Sequence, residues 1–258
     1  MKKLFAMCLA LVLMLTCFAG CQKDNGSDLD YIKGKGKMVV GVTVYEPMDY
    51  KDAQGNWVGF DAEFAQIVGE KLGVDVEFVI IDWGKKFTEL KIKEIDAIWN
   101  GMTINDDVLA NTSCSDPYVK NAQVVVTKAD KAANYTTVES LKDLSFAVEN
   151  ESAGAKALDA EGITNYNKME DQAKALLEVA SGTSDACVID ITMARAMTGS
   201  GTDFADLAIA MELTTENYGI GFRQGSDLTA KVNDMIKELK ADGTLAALAQ
   251  KYNVTLAD

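Results

Sequence analysis

The chain has 258 residues, of which 48% are hydrophobic and 25% charged, and its formal net charge at pH 7 is −14. This composition is typical of a globular protein with one large core or two medium ones. The chain contains no histidine, and its acidic balance offers no basic surface for nucleic acid. Nucleic-acid binding and histidine-dependent catalysis or metal binding are therefore disfavoured.

The first 20 residues have the pattern of a secretory signal peptide: lysines at the start, an apolar run, and small residues before Cys21. The segment from Phe18 to Cys21 is similar to a lipoprotein cleavage site. It predicts lipid attachment at Cys21 and a location on the outer side of the cell membrane or in the periplasm; an uncleaved anchor is the alternative. Residues 21–37 are polar and contain glycine, which predicts a lipidated tether.

From residue 38 onward, strand-like and helix-like patterns alternate. We predict strands at 38–44, 74–80, 95–100, 124–127, 144–148, 185–189, 207–213 and 218–222, and helices at 64–72, 87–92, 173–180, 191–197, 228–240 and 244–252, with a further helix beginning at 155. Such alternation predicts an α/β fold with mostly parallel sheets.

One stretch, residues 93–118, combines a buried strand with a turn. Ile95, Ala97 and Trp99 alternate with their neighbours at strand period, and the run breaks at Gly101. Ligands of open parallel sheets bind beyond the carboxyl ends of the strands. We therefore expect the backbone N–H groups at Gly101 to face a ligand, and Trp99 to pack in the core.

The same stretch resembles a segment of the extracellular solute-binding proteins that serve polar amino-acid ABC transporters. The matching residues are Asp96, Gly101, Met102, Thr103, Ile104, Ser115, Pro117 and Tyr118. Residues 59–61 (GFD) and 227–253 also resemble that family, so the likeness extends from about residue 38 to 253.

The resemblance implies a two-lobe, type II periplasmic-binding-protein-like fold, with residues 38–120 and 213–258 in the first lobe, 121–212 in the second, and a hinge of two crossing segments. It also implies a monomer that works with an ABC permease, without catalysis, cofactor or metal. Cys114 and Cys187 fall in different lobes and are expected to be free thiols.

One position departs from the family pattern. Where the family carries the arginine that holds the ligand's α-carboxylate, this chain has Val108. Asp190 stands where the family has the aspartate for the α-ammonium. In the second-lobe turn, residues 149–154, a glutamate replaces a glycine of the family pattern. The resemblance thus retains the ammonium half of the site without the carboxylate half.

The candidate ligand-binding residues share a position just beyond predicted strand ends or in this turn. They are Tyr45, Trp83, Asn100, Gly101, Thr103, Glu149, Glu151, Ser152 and Asp190. Other roles remain open: Asp190 as the N-cap of the helix that follows it, and Glu149 and Glu151 as members of a solvated turn. A place outside the cleft is also the alternative for Tyr45, Trp83, Asn100 and Thr103.

A ligand carboxylate that loses its arginine in a closed cleft loses about 2–5 kcal/mol. Tyr45 and Trp83 offer a cation about 0.5–2 kcal/mol of cation–π attraction. We therefore expect a small cationic amine without a carboxylate: an aromatic monoamine, a diamine or a quaternary amine. The alternatives are a polar amino acid whose carboxylate is held by Lys85, Lys86 or Lys120, a dehydratase-like enzyme, and a sensory receptor.

Overall fold

The computed structural model describes residues 26–258; the predicted signal peptide and Cys21 lie outside the described residues. The helices are α1 Asp28–Lys35, α2 Phe60–Leu72, α3 Lys86–Lys91, α4 Asp106–Asn111, α5 Ala153–Ala160, α6 Gln172–Ser181, α7 Ile191–Met197, α8 Leu228–Ala241 and α9 Thr244–Tyr252. The strands are β1 Lys37–Val42, β2 Tyr50–Lys51, β3 Trp57–Val58, β4 Asp75–Ile80, β5 Ala97–Thr103, β6 Ser113–Cys114, β7 Val119–Lys128, β8 Phe146–Glu149, β9 Tyr166–Met169, β10 Ala186–Asp190 and β11 Leu207–Phe222.

The main sheet has the strand order β4-β1-β5-β11-β7-β10-β8-β9, with β6 beside β11. Strands β4, β1 and β5 run parallel and form the first lobe; β10, β8 and β9 run parallel and form the second. Between them, β7 and β11 are antiparallel to each other and to the lobe strands that they join. The α/β prediction with parallel sheets in the lobes is confirmed.

The long pair β7 and β11 connects the two lobes. The sequence predicts separate strands at 207–213 and 218–222, but the structure has one continuous strand through both. The intervening polar residues 214–217 pair with residues 120–123 of β7, so their backbone groups are hydrogen-bonded within the ladder. The polar side chains of residues 214–217 interrupt the hydrophobic alternation that predicts a strand, so the sequence pattern does not indicate one continuous strand here.

The predicted tether is wrong over residues 28–35, which form α1 on the surface of the first lobe. Ser27 caps the helix by accepting a hydrogen bond from the Asp30 N–H at 2.9 Å. Ile32 is fully buried, and Asp28 accepts from the Arg223 Nε at 2.9 Å. These contacts bind the segment to the lobe.

The inner lobe strands β1, β5, β8 and β10 are buried on both faces, as helices on both sides of a parallel sheet require. Trp99 is fully buried and meets Phe64 edge to face, with ring centroids 4.9 Å apart. A buried side chain of this kind stabilises the fold by roughly 1.5–3 kcal/mol. Cys114 and Cys187 are free thiols, on β6 and β10 respectively.

Candidate ligand-binding site

A cavity lies between the lobes, at the carboxyl ends of β5, β8 and β10. Its first-lobe wall consists of Trp83, Lys86, Phe87, Asn100, Gly101, Met102, Thr103, Asn105 and Val108. Its second-lobe wall consists of Gln123, Glu149, Glu151, Ser152, Ala153, Lys156, Gln172 and Asp190. The free space is about 30 Å³, which suits a few water molecules. The lobes are therefore closed on each other in this structure.

All the candidate residues named from the sequence line this cavity except Tyr45. The turn after β1 brings the Tyr45 N–H to the Asp49 carbonyl at 2.7 Å and directs the ring into the core. There its hydroxyl lies 2.5 Å from the Tyr218 hydroxyl, and the two rings meet edge to face. The expectation that Tyr45 stacks on the ligand is not met in this structure, since the ring is buried behind Gly101.

Gly101 lies at the cavity wall, but its N–H does not face the cavity. Strand β5 continues through Gly101 to Thr103, and the Gly101 N–H donates to Asp61 Oδ2 at 2.6 Å. The expected exposed N–H at this point is therefore wrong. Glycine is required here for two reasons: its φ is +56°, and a Cβ would lie 2.5 Å from Tyr45 Cε1.

Asn100 has its amide occupied by protein groups. Its Oδ1 accepts from the Thr43 N–H at 2.9 Å and the Thr43 hydroxyl at 2.8 Å. Its Nδ2 donates to the Thr43 carbonyl at 3.1 Å and to Asp49 Oδ2 at 2.8 Å. The side chain thus fixes the end of β1 against β5 and contributes shape to the cavity wall.

Asp190 occupies the N-cap position of α7, yet its side chain makes no capping hydrogen bond. Its carboxylate instead accepts from side-chain amides: Asn121 at 2.5 Å and Gln123 at 2.6 Å on one oxygen, and Gln172 on the other. Burial, and to a lesser extent the nearby Glu216, raises the pKa of Asp190 to about 7. The residue is therefore a buried acid beside the cavity, oriented by amide donors.

Glu216, on β11, completes a polar network across the hinge. Its Oε1 accepts from the Thr103 hydroxyl at 2.6 Å, Asn121 Nδ2 at 2.7 Å and Gln123 Nε2 at 2.8 Å. The same amides donate to Asp190, so the network joins the two hinge strands to both lobes. Sequence analysis missed it, although polar residues at 121 and 123 within a β-branched strand were a usable signal.

Glu149 ends β8, with 3% of its surface exposed. Its Oε1 has no hydrogen-bond partner within residues 26–258. Burial, with the nearby Asp190 and Asp171, raises the pKa of Glu149 well above its usual range. An unpartnered carboxyl oxygen in a cavity wall is a strong acceptor for a cationic or N–H donor group, which lowers the cost of its burial.

The next residues of this turn have other roles. Glu151 is exposed, has a φ of +56°, and places its carboxylate 3.7 Å from the Lys168 Nζ. Ser152 is the N-cap of α5, because its hydroxyl accepts from the Ala155 N–H at 3.1 Å. Of the two glutamates, Glu149 is the one buried at the cavity.

The first-lobe wall combines apolar and neutral polar side chains with a single lysine. Val108 is buried and packs in a cluster with Trp83 and Met102. Lys86, one turn after Trp83, is 6% exposed, and its Nζ lies 4.7 Å from the Trp83 ring centroid and 4.8 Å from that of Phe87. Burial lowers the pKa of Lys86 to about 8. The structure thus places a buried ammonium in the same cavity wall as Val108.

The chain has two arginines, and neither lines the cavity. Arg223 pairs with Asp28 and with Asp96, at 2.9 and 3.0 Å. Arg195 is exposed on α7. Any anion bound in the cavity would have to be held by a lysine or by neutral donors.

Within residues 26–258, no cluster of histidine, cysteine, aspartate or glutamate is arranged to hold a metal ion. In the same residues, no helix combines the length and apolar character needed to span a bilayer.

Two α/β lobes joined by two crossing strands, with a polar cavity between them, define a two-lobe solute-binding protein. The chain belongs to the bacterial extracellular solute-binding proteins, family 3, which it matches over residues 38–255. It is therefore a solute-binding protein of the amino-acid ABC importer type, a class that binds small ligands and works with membrane permeases.

Curated relatives and solved structures agree with this assignment. The arginine-binding extracellular protein ArtP of Bacillus subtilis (strain 168) is 29% identical, over 98% of both chains. The L-cystine-binding protein TcyJ of Escherichia coli (strain K12) is 27% identical, over 93% of this chain and 92% of its own. A crystal structure of a variant of the arginine-binding protein of T. maritima superposes with a TM-score of 0.81 at 31% identity, covering 87% of this chain and 98% of that one. The two-lobe, type II fold is confirmed.

Proposed function

We propose that this protein binds a small cationic amine without a carboxylate and presents it to an ABC permease. The observation that carries the proposal is the second-lobe wall. Glu149 and Asp190 are each 3% exposed there and end adjacent parallel strands. A cation bound beside these two acids favours their ionised form and pairs with it, whereas an anion there would gain no partner from them.

The opposite wall supports the same conclusion. Val108 contributes only methyl groups at the position where relatives are expected to carry an arginine, and neither arginine of the chain lines the cavity. A desolvated ligand carboxylate here would lack a bidentate partner, at a cost of about 2–5 kcal/mol. Trp83 and Phe87 give the organic part of an amine apolar and aromatic contact.

The roles follow from this arrangement. Glu149 and Asp190 pair with the ammonium, and Trp83 stacks on the organic body. Asn100, Gly101, Thr103 and Ser152 shape the cavity. Glu151, at its mouth, adds negative potential during entry. The ligand is bound and released without conversion, and closure of the lobes buries both sets of contacts.

One observation favours a second candidate, a zwitterionic amino acid. Lys86 brings a buried ammonium to the first-lobe wall, at a place where it would meet a ligand carboxylate. The relatives named above bind arginine and cystine, which carry both groups. In that case Lys86 substitutes for the arginine of the family pattern.

Matched pairs of ligands test the proposal by isothermal calorimetry: agmatine against arginine, tyramine against tyrosine, and putrescine against ornithine. The members of each pair differ only by a carboxylate. We expect the preferred amine to bind at least tenfold more tightly than its amino acid, equivalent to about 1.4 kcal/mol. Tighter binding of the amino acid overturns the amine proposal and supports the second candidate. Mass spectrometry of the same mixtures detects any product, which would support the dehydratase-like alternative.

We also propose lipid attachment at Cys21, from the signal-like residues 1–20 and the small residues before it. Intact-mass spectrometry of the membrane-associated protein tests it. The expected species begins at Cys21 and carries the added mass of acyl chains; an unmodified thiol at that position contradicts the proposal.

A further inference from the structure

Lys86 lies at the start of the first-lobe helix α3, and its side chain is buried in the cavity. Its Nζ donates to the Trp83 carbonyl at 3.0 Å and to the Glu151 carbonyl at 3.4 Å. Trp83 belongs to the first lobe and Glu151 to the second. The ammonium therefore bridges the two lobes in the closed protein.

The surroundings of this ammonium are those that suit a cationic ligand. The aromatic rings of Trp83 and Phe87 lie within 5 Å of the Nζ. Glu149 also lines this cavity, and its Oε1 is unpartnered within the described residues. Carbonyl oxygens and aromatic faces thus hold the Lys86 ammonium, and the Glu149 Oε1 is left for the ammonium of a ligand.

The closed cavity has little space for both the Lys86 side chain and a ligand. With Lys86 in position, about 30 Å³ remains free, whereas pockets for small organic ligands occupy about 300–1,000 Å³. A ligand must therefore open the lobes or displace this side chain. The lysine stem is a flexible chain, so its head moves at little cost to the fold.

We propose that Lys86 is a tethered cation that fills the closed cavity, and that the cationic amine binds by displacing it. This inference rests on the proposed function, since it requires a cationic ligand. It makes Lys86 a determinant of specificity: a ligand must contribute more than a bare ammonium, because the protein already supplies one. A competing internal group lowers the apparent affinity by the fraction of time that it holds the site.

The test compares wild type with Lys86→Met, which keeps a flexible stem of similar length without the charge. Lys85→Met is the matched control, because Lys85 is the preceding residue, is exposed, and pairs with Asp82 at 2.9 Å outside the cavity. Calorimetry with agmatine, tyramine and putrescine at pH 7 gives the dissociation constants. We expect Lys86→Met to bind the preferred amine at least tenfold more tightly, and Lys85→Met to match wild type within about twofold.

Lys86→Gln is the second variant, in case the methionine variant does not fold. It keeps N–H donors for the two carbonyls and lacks the charge, so it is expected to show the same tightening. Unchanged or weaker amine binding in a folded, uncharged variant overturns the displacement proposal, even where wild type prefers amines. If wild type instead prefers arginine to agmatine, the proposed function fails, and this inference with it. In that case, a tenfold loss of arginine affinity in Lys86→Met would show that Lys86 pairs with the carboxylate of the bound arginine.

Discussion

The two walls of the cavity have different buried ionisable groups, acids on one and a lysine on the other, and hold them in different ways. On the second-lobe wall, Glu149 and Asp190 end neighbouring strands, and amide donors fix the Asp190 carboxylate. On the first-lobe wall, the one buried cation, Lys86, is at the end of a flexible stem and donates to backbone carbonyls. The acidic wall is thus preorganised, whereas the cationic group can move away.

This difference explains why the acids, and not the lysine, are the better candidate anchor. A group held by its neighbours loses little conformational freedom when a ligand arrives, so more of its interaction energy contributes to affinity. A mobile lysine loses rotamer freedom each time that it is fixed. Three predictions test this comparison: two on affinity, in order of decreasing effect, and one on stability.

The largest effect is expected from neutralising the acidic wall. Asp190→Asn and Glu149→Gln should each weaken binding of the preferred amine by more than tenfold, because an ionic hydrogen bond contributes about 1.5–3 kcal/mol. Calorimetry with the amines of the matched pairs measures the loss. Glu149→Gln is the cleaner variant, since the amide introduced by Asp190→Asn would direct its N–H₂ group against the amide donors of its neighbours.

The matched control for these variants is Asp185→Asn. Asp185 immediately precedes β10, at the end remote from the cavity, and accepts hydrogen bonds from the N–H and hydroxyl of Ser145. It should change stability without changing affinity. Full affinity in Asp190→Asn and Glu149→Gln, with stability alone reduced, would show that both acids serve only the fold.

A smaller effect is expected from adding a cation to the first-lobe wall. In Val108→Arg, the new guanidinium provides a bidentate partner for a carboxylate, so the preference for amine over amino acid should fall by about tenfold. Leu109→Arg is the control, because Leu109 is the next residue of α4 and is 56% exposed. Calorimetry with agmatine and arginine gives the ratio; an identical ratio in both variants would mean that residue 108 does not face the ligand.

How far the sequence predicted these walls depends on the kind of residue. The sequence indicated Asp190, Glu149 and Trp83 because they follow hydrophobic strands. The resemblance to the family also indicated Asp190, and it showed that Val108 stands where the family has an arginine. Tyr45 also follows a strand, but a tight turn directs its ring into the core. Local pattern indicates where a strand ends and carries no information on which way the next side chain points.

The residues that the sequence left unassigned act through long-range contacts. Asn121 and Glu216 are 95 positions apart and meet only because β7 and β11 pair. Lys86 was named only as an alternative carboxylate partner, since a lysine at the start of a short helix is usually solvated. Its burial depends on the approach of the second lobe, which no local spacing encodes.

The last prediction concerns stability, not affinity, and the buried carboxyls of the two lobes. Burial raises the pKa of Asp61, behind Gly101, to about 7, as it does for Asp190, against about 3.9 for an exposed aspartate. The folded protein then holds protons that the unfolded chain releases, so these groups contribute most to the unfolding free energy below about pH 4, and that contribution is lost as pH rises to about 7. With no histidine in the chain, shifted carboxyls dominate titration in this range.

Urea unfolding at pH 5 and pH 8 measures this loss for wild type, Asp61→Asn and Asp130→Asn. Wild type should lose on the order of 1–3 kcal/mol for each such group. Asp61→Asn should lose less, because it stays neutral while its carbonyl still accepts from the Gly101 N–H and the Tyr118 hydroxyl. Asp130→Asn, in an exposed turn, should match wild type. If Asp61→Asn shows the wild-type difference between the two pH values, the proton uptake belongs to other buried carboxyls with raised pKa values, among them Asp49, Glu149 and Asp190, and not to Asp61.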